Sequence, residues 1–169
     1  MRVAITGTPG TGKSAVGRAL KRRGFYVLEL NKAIVRHKLY AGIDRKRKTF
    51  IADMPAIRTF LKKTFSEGLI VSHLSHLLPA IMVDVVVILR CNPEKLRLRL
   101  IRKRWKREKV AENVEAELIG LIAAESRQRH KKVYEIDTTA MTATQAADAI
   151  EKVLKGAGER YRTAIDWLR

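Results

Sequence analysis

Five short runs of the chain are apolar at most positions and rich in valine and isoleucine. They are Arg2–Thr6, Phe25–Leu30, Leu69–Ser72, Val83–Arg90 and Lys132–Ile136. Strands that are apolar on both faces are typical of a parallel sheet covered by helices on both sides. The pattern therefore predicts five buried parallel strands.

Between these runs, apolar residues recur at the spacing of an amphipathic helix. The segments with this spacing are Lys13–Arg22, Pro55–Phe65, Pro93–Lys103, Lys109–Ser126 and Ala143–Leu154. Pro55 and Pro93 fall near first turns, where a helix tolerates proline, and Thr142 or Thr144 is suited to cap the last helix. Alternating strands and helices predict an α/β fold with right-handed crossovers.

The segment after the first predicted strand matches the phosphate-binding P-loop pattern GxxxxGK[ST] at every fixed position. Its sequence is Gly7-Thr8-Pro9-Gly10-Thr11-Gly12-Lys13-Ser14. The glycines let backbone N–H groups point at phosphate oxygens, and the helix that begins at Lys13 adds the positive end of its dipole. We expect Lys13 to bind the β- and γ-phosphates and Ser14 to ligate Mg²⁺. The motif predicts a protein that binds a nucleoside triphosphate.

The size of the chain narrows the class of P-loop protein. Its 169 residues leave no room for the insertions of motor or transporter ATPases, and it has no Asn-Lys-x-Asp motif for guanine. A basic helical hairpin, Leu96–Glu117, follows the fourth predicted strand. This arrangement is typical of a small nucleotide kinase with a mobile lid.

The strand next to the P-loop lacks the acid that commonly holds Mg²⁺ through water in such enzymes. It is followed by His73, whose imidazole is placed either to meet a phosphate or an attacking water, or to serve as an ordinary loop histidine. Asp84 opens the next strand, so it belongs at the opposite edge of the sheet as a structural residue. His76 lacks the companions of a zinc site.

Charge adds a second indication of function. The chain has 35 Lys and Arg against 17 Asp and Glu, a net charge of +18. This excess favours a polyanionic partner such as nucleic acid, with general solubility as the alternative explanation. The single cysteine, Cys91, excludes a disulfide framework and suits a cytoplasmic compartment. The most apolar stretch, Leu69–Leu89, contains two histidines, a proline and an aspartate, which argues against a membrane span.

Further segments follow the P-loop in a particular order. They are Gly42-Ile43-Asp44 followed by Asp53, Ser72-His73-Leu74-Ser75-His76-Leu77-Leu78-Pro79, Glu112-Asn113-Val114-Glu115-Ala116-Glu117 and Tyr134-Glu135-Ile136-Asp137-Thr138-Thr139. Together with the P-loop they resemble the archaeal branch of the adenylate kinase isoenzyme 6 family, dual adenylate kinase/ATPases linked to small-ribosomal-subunit maturation. The resemblance covers nearly the whole chain. It implies one nucleoside-monophosphate-kinase domain over residues 1–169, with the five strands in the order 2-3-1-4-5.

The resemblance also implies an ATP site, with ATP as substrate and Mg²⁺ as cofactor. The phosphate contacts of the family fall on Gly10, Gly12, Lys13, Ser14 and Ala15. The adenine contacts fall on the loop that contains Asp137 and Thr138.

A monophosphate site and a lid are implied in the same way. The AMP-binding segment corresponds to residues from about 29 to 52, and its candidate residues are Asn31, Gly42, Asp44 and the adjoining Asp53. The lid corresponds to residues from about 102 to 112. In the lid, Lys103 takes the place of an arginine that contacts ATP phosphates, with Arg102 or Arg104 as substitutes. Lysine lacks the bidentate fork of arginine, so we expect a looser clamp. The catalytic candidates are Lys13, His73 and Lys103.

One departure from the family concerns the metal. Its members generally carry an aspartate two residues before the histidine that corresponds to His73, and this chain has Val71. Valine cannot coordinate Mg²⁺, so metal positioning relies on Ser14, the phosphates, and His73 or Asp53. We expect weakened turnover, with a largely lost turnover as the alternative.

The segment Arg90–Lys109 contains ten Lys and Arg and two Glu. Ten cations exceed the need of one phosphoryl-transfer site, and Arg45–Lys48 and Arg127–Lys132 add two further basic clusters. Trp105 is suited either to stack on a base or to close the lid. No sequence-specific RNA motif is present, so contact would be mainly with the phosphate backbone. In the resembled family the partners are a small-subunit ribosomal protein of the S11 type and the adjoining rRNA.

The leading hypothesis is an adenylate kinase/ATPase that acts in assembly of the small ribosomal subunit. The alternative is a binding module that loads ATP, hydrolyses it weakly and chaperones a ribosomal protein on rRNA. A purely metabolic monophosphate kinase is disfavoured by the charge.

Overall fold

The computed structural model describes residues 1–169 and has a five-stranded parallel sheet at its centre. The strands of the chain are β1 (Arg2–Thr6), β2 (Val27–Glu29), β3 (Tyr40–Asp44), β4 (Thr49–Ala52), β5 (Gly68–Val71), β6 (Val85–Arg90) and β7 (Val133–Asp137). The sheet has the order β2-β5-β1-β6-β7, and β3 and β4 form a separate antiparallel hairpin. The predicted fold class and strand order are confirmed, because the five predicted strands correspond to β1, β2, β5, β6 and β7.

The chain has seven α-helices. They are α1 (Lys13–Arg22), α2 (Leu30–Arg36), α3 (Met54–Thr64), α4 (Pro93–Arg102), α5 (Arg107–Leu118), α6 (Leu121–Arg129) and α7 (Ala143–Leu154). Three of them begin at a side-chain cap, which satisfies backbone N–H groups of the first turn. Asp53 caps α3, Asn92 caps α4, and Thr142 forms a capping box with Gln145 at the start of α7.

The core lies on both faces of the sheet, because successive residues of a strand point to opposite sides. Ile5 packs with Leu20 and Ile150 on the face covered by α1 and α7. Its neighbour Ala4 belongs to the opposite cluster, which contains Ile57 of α3. This double burial explains why the strands lack polar alternation.

A third apolar cluster holds α4 and α5 together. It contains Cys91, Leu96, Leu100, Val110 and Val114, with Trp105 packed against its edge. Cys91 is fully buried, and burial raises the pKa of its thiol. The helical hairpin predicted for the lid is therefore anchored at its base by its own small core.

Most predicted bounds shift by one or two residues, and the following differences matter for the fold. The second strand ends at Glu29 rather than Leu30, because Leu30 begins α2. The helix predicted over Lys109–Ser126 is divided into α5 and α6 at Gly120, whose φ of 64° is left-handed. The hairpin of β3 and β4 was not predicted.

Asp84 lies at the amino end of the sheet, away from the P-loop. Its Oδ2 accepts a hydrogen bond from the backbone N–H of Arg2 at 2.7 Å. This contact gives Asp84 a structural role. None of the helices has the length and apolar character needed to span a membrane.

Candidate nucleotide site

The P-loop joins β1 to α1 and packs tightly against the end of β6. Gly7 has a φ of 140°, and a Cβ added there would lie 2.4 Å from the carbonyl oxygen of Leu89. A Cβ at Gly10 would lie 2.8 Å from Leu96 Cδ1 of α4. Glycine is therefore required at both positions by close packing as well as by backbone conformation.

Lys13 is held inside its own loop. Its ammonium donates to the carbonyl oxygens of Gly7 at 2.6 Å and Thr8 at 2.9 Å. Burial lowers the pKa of Lys13 to about 7, the carboxylate of Glu117 opposes this shift, and Lys103 adds to it. An anion bound in the loop would favour the charged form and raise the pKa again.

Ser14 is the one predicted Mg²⁺ ligand, and it occupies the first turn of α1 with an exposed side chain. No group of three or more His, Cys, Asp or Glu residues is arranged to hold a metal ion. The donor set fits a metal that is bound mainly through nucleotide phosphates, with one hydroxyl from the protein.

A cavity of about 400 Å³ opens beside the loop between α1, α4 and the segment after β7. Six of the predicted ATP-binding residues line it: Gly10, Gly12, Ala15, Arg102, Lys103 and Thr138. Val16, Met141 and Ala146 supply apolar walls, a combination suited to a base and its phosphates. Lys13, Ser14 and Asp137 do not line this cavity. Asp137 Oδ1 accepts hydrogen bonds from the N–H and hydroxyl of Thr139.

Arg99 and Glu117 were not predicted, yet both contact the P-loop. Arg99 donates to the carbonyl oxygens of Gly10 at 3.4 Å and Thr138 at 3.2 Å. Glu117 accepts a hydrogen bond from the Thr8 hydroxyl at 2.6 Å. The sequence did contain one indication of Glu117. It follows Val110 and Val114 at helical spacing, so a charged residue lies on the buried face of α5.

His73 lies directly after β5, beside Lys13. Burial, together with the charges of Lys13, His76 and Lys109, lowers its pKa to about 4. The imidazole is therefore neutral at neutral pH and serves as a hydrogen-bonding group, not as a cation.

His76 is tied into the fold behind this site. Its Nδ1 lies 3.0 Å from Thr6 Oγ1, and its Nε2 lies 2.9 Å from Glu125 Oε2. Thr6 ends β1 immediately before the P-loop, so the histidine holds the loop's entry in place.

The low pKa of His73 makes the protein sensitive to acid. The unfolded chain binds this proton more readily, so the stability is present above pH 6.5 and is lost as the pH falls towards about 4. We expect acidification across this range to cost about 2 to 3 kcal/mol through His73. Urea unfolding of the H73N variant at both ends of the range should show a smaller loss than the wild type. An H37N control, at an exposed position, should keep the full loss, and equal losses in all three proteins would contradict this account.

The predicted AMP-binding residues lie on three elements, α2, β3 and the start of α3. Asn31 of α2 lies next to the end of β5, since its Oδ1 accepts a hydrogen bond from Ser72 Oγ at 2.7 Å. Asp53 caps α3 through Ala56 N at 3.0 Å, so its carboxylate is used for local structure. Gly42 and Asp44 lie on the hairpin strand β3, where Asp44 accepts from Arg47 N at 3.0 Å.

Val71 stands at the carboxyl end of β5 and is buried in the core, 5% exposed. A Cβ at Gly17 of α1 would lie 3.5 Å from one of its methyl groups. The side chain thus packs against α1 one turn beyond Lys13. An acid at this position would be desolvated by the same contacts.

Named proteins of archaea are similar to this chain over nearly its whole length. Residues 3–120 match the family described as "AAA domain". A protein of Archaeoglobus fulgidus named "Putative adenylate kinase" is 39% identical, over 99% of this chain and 92% of its own length. A protein of the same name from Methanocaldococcus jannaschii is 35% identical, over 99% of this chain and 93% of its own. This chain belongs to the archaeal family whose members bear the name "Putative adenylate kinase".

Solved structures place the fold of this archaeal family member among the P-loop kinases. Shikimate kinase from Acinetobacter baumannii superposes with a TM-score of 0.65 at 18% identity, over 92% of this chain and 93% of its own. Deoxyadenosine kinase from M. mycoides superposes with a TM-score of 0.56 at 15% identity, over 92% of this chain and 100% of its own.

Proposed function

We propose that the protein is an adenylate kinase that transfers the γ-phosphoryl group of ATP to AMP and also hydrolyses ATP. The observation that carries the proposal is the ammonium of Lys13, held inside the P-loop beside a cavity that Arg102 and Lys103 line. Relatives that are 35 to 41% identical bear the name "Putative adenylate kinase", which supports AMP as the acceptor.

Phosphoryl transfer depends on positioning and positive charge, because the transition state spreads negative charge over the phosphate oxygens. Lys13 binds the β- and γ-phosphates from within the loop, and Lys103 and Arg102 approach them from the lid. Ser14 would hold Mg²⁺, which would supply further positive charge when bound. His73, being neutral, accepts a hydrogen bond from water during hydrolysis.

The domain organisation follows from the same proposal. All 169 residues form one kinase domain. The AMP-binding segment, residues from about 29 to 52, takes in α2 and the hairpin of β3 and β4. The lid, residues from about 102 to 112, takes in the turn between α4 and α5, and its closure over ATP carries Lys103 to the phosphates.

The activity is tested by incubating the protein with Mg²⁺ and ATP, with and without AMP, and quantifying all three adenine nucleotides. We expect two ADP for each AMP consumed, and slower phosphate release with ATP alone. The K103A variant should lose both activities by about tenfold or more, because a lid cation is removed. ADP formation that is indifferent to AMP would contradict the kinase assignment.

We further propose that this activity serves assembly of the small ribosomal subunit in the cytoplasm, with an S11-type ribosomal protein and rRNA as partners. The exposed turn Arg45–Lys48 supports this, because Arg47 Nη2 lies 3.4 Å from Glu112 Oε1 of α5. The contact brings the basic turn beside α5, and we name the turn and the basic lid together the cationic surface. Trp105 packs against the lid core with Lys109 Nζ 4.2 Å from its ring centre, which favours its role in the lid over base stacking.

The cationic surface is tested by RNA binding as a function of salt. The logarithm of affinity should fall linearly with the logarithm of salt concentration, by about 0.7 to 0.9 per phosphate contacted. Reversing the charge of Lys46 and Lys48 to glutamate should reduce this slope by about 2. Binding that barely changes with salt would contradict an interaction with the RNA backbone.

Val71 favours a second candidate, an ATP-loaded module that hydrolyses weakly and chaperones a ribosomal protein on rRNA. Its side chain is buried and apolar, so Ser14 and the nucleotide phosphates would have to hold the metal without a carboxylate from β5. Tight ATP binding with negligible turnover, in the presence or absence of AMP, would favour this candidate over the kinase.

A further inference from the structure

The carboxylate of Glu117 lies buried behind the P-loop and accepts four hydrogen bonds. Its Oε2 accepts from the Thr8 hydroxyl at 2.6 Å. Its Oε1 accepts from Arg90 Nε at 2.8 Å, from the backbone N–H of Cys91 at 3.1 Å and from Trp167 Nε1 at 3.0 Å. This side chain at the end of α5 is 2% exposed. It therefore joins the P-loop, the end of β6 and the C-terminal segment, residues 163–169.

Thr8 connects this carboxylate to Lys13. While its hydroxyl is bound to Glu117, its backbone carbonyl accepts hydrogen bonds from Lys13 Nζ at 2.9 Å and from Thr11 N at 3.2 Å. The hydroxyl and the carbonyl belong to one residue, so fixing the first restricts the orientation of the second. Glu117 thereby acts on the ammonium that binds phosphate without touching it.

The C-terminal segment fixes Glu117 from the other side. Besides the indole contact, the Ile165 carbonyl accepts from Arg90 Nη1 at 3.2 Å, and the Ile165 N–H donates to Glu135 Oε2 at 3.1 Å. Arg90 also donates to Glu135 at 2.5 Å and lies 5.8 Å from the centre of the Trp167 ring. The segment is docked on the same buried ions that support the loop.

A purely structural role for these buried ions explains only part of the arrangement. Arg90 Nε and Cys91 N both donate to Oε1 of Glu117. Apolar side chains of similar volume would stabilise the fold as well as these ions do. The other oxygen, Oε2, is bonded to Thr8 alone. That bond gives the carboxylate a contact with the phosphate-binding loop that an apolar residue cannot supply.

We propose that Glu117 is a positioning residue of the nucleotide site, which acts through Thr8 and is itself held by Trp167 of the C-terminal segment. The hydrogen bonds from Thr8 and Trp167 to the two carboxylate oxygens carry this role. The inference rests on the proposed function only in requiring that the loop bind ATP.

ATP binding measured by calorimetry at neutral pH tests the role of Glu117. E117Q replaces the charged acceptor of the Thr8 hydroxyl by a neutral amide, so ATP affinity should drop by about tenfold. E117D keeps the carboxylate and should recover part of this affinity. The exposed E159Q variant is the matched control and should follow the wild type.

A double-mutant cycle tests the path through Thr8. The T8V variant should weaken ATP binding by about fivefold, and W167F by about threefold, since each removes one hydrogen bond to the carboxylate. Adding W167F to T8V should cost little more, because both act through Glu117. T59V, which removes an exposed hydroxyl of α3, controls for the loss of a threonine.

The outcomes separate the two proposals. If the wild type binds no ATP, the proposed function fails. If the wild type binds ATP but E117Q keeps its affinity, Glu117 has no positioning role. If E117Q does not fold, the cycle decides, because T8V and W167F retain every charge: additive or absent effects would overturn the inference, and non-additive losses support it.

Discussion

Replacement of Lys13 by alanine should reduce ATP affinity by about a hundredfold or more. The variant removes the cation that the loop holds between the carbonyl oxygens of Gly7 and Thr8, and charge-assisted hydrogen bonds to phosphate are among the strongest in proteins. Calorimetric titration with Mg-ATP measures the loss, and circular dichroism shows whether the variant is folded.

The control for K13A lies on the same helix. Lys21 is exposed in the last turn of α1, and its replacement by alanine should leave ATP affinity within about twofold, because exposed charges at this range are screened. A folded K13A variant with the same ATP affinity as K21A would contradict the proposed kinase function.

Replacement of Arg90 by methionine should lower the free energy of unfolding by about 4 kcal/mol, because it leaves two buried carboxylates without their shared cation. Arg90 is 2% exposed and donates to Glu117 at 2.8 Å and Glu135 at 2.5 Å. Urea unfolding at neutral pH measures the loss. Since Glu135 also accepts from Arg127 at 2.6 Å, we expect a folded protein with reduced stability.

A surface ion pair provides the comparison for R90M. Arg23 contacts Asp148 at 2.8 Å and Glu151 at 2.6 Å, geometry as close as that of Arg90, but in contact with solvent. Exposed pairs contribute little, so R23M should lose a small fraction of the stability lost by R90M. Similar losses in the two variants would show that burial is not the source of the effect.

The sheet was predictable because its strands are buried on both faces, which leaves continuous apolar runs in the sequence. The hairpin of β3 and β4 escaped prediction for the opposite reason. Its apolar residues Ile43, Phe50 and Ile51 are exposed, so no buried face imposes an alternating pattern. The boundary at Leu30 was missed because both the end of β2 and the start of α2 are apolar, and burial alone does not distinguish them.

The candidate site was also predictable only in part. The P-loop is contiguous, so its residues and their chemistry were recognised from eight positions. Arg99 and Glu117 reach the loop from α4 and α5, across separations of 89 and 109 residues. Contacts of this kind depend on how helices pack, which a motif does not contain. Asp137 was assigned to ATP through the family resemblance. It ends β7, its carboxylate accepts a hydrogen bond from Thr139, and its contact with ATP stays a prediction.

The burial of Cys91 makes the chain well suited to spectroscopic labelling. Thiol reagents attack the thiolate, and this sole cysteine is fully buried with a raised pKa. A pair of engineered cysteines, such as R104C in the lid and K46C in the hairpin, would therefore accept fluorophores without background from the native residue. Energy transfer between them would follow the lid and the hairpin during turnover, in a protein whose natural sequence is otherwise unchanged.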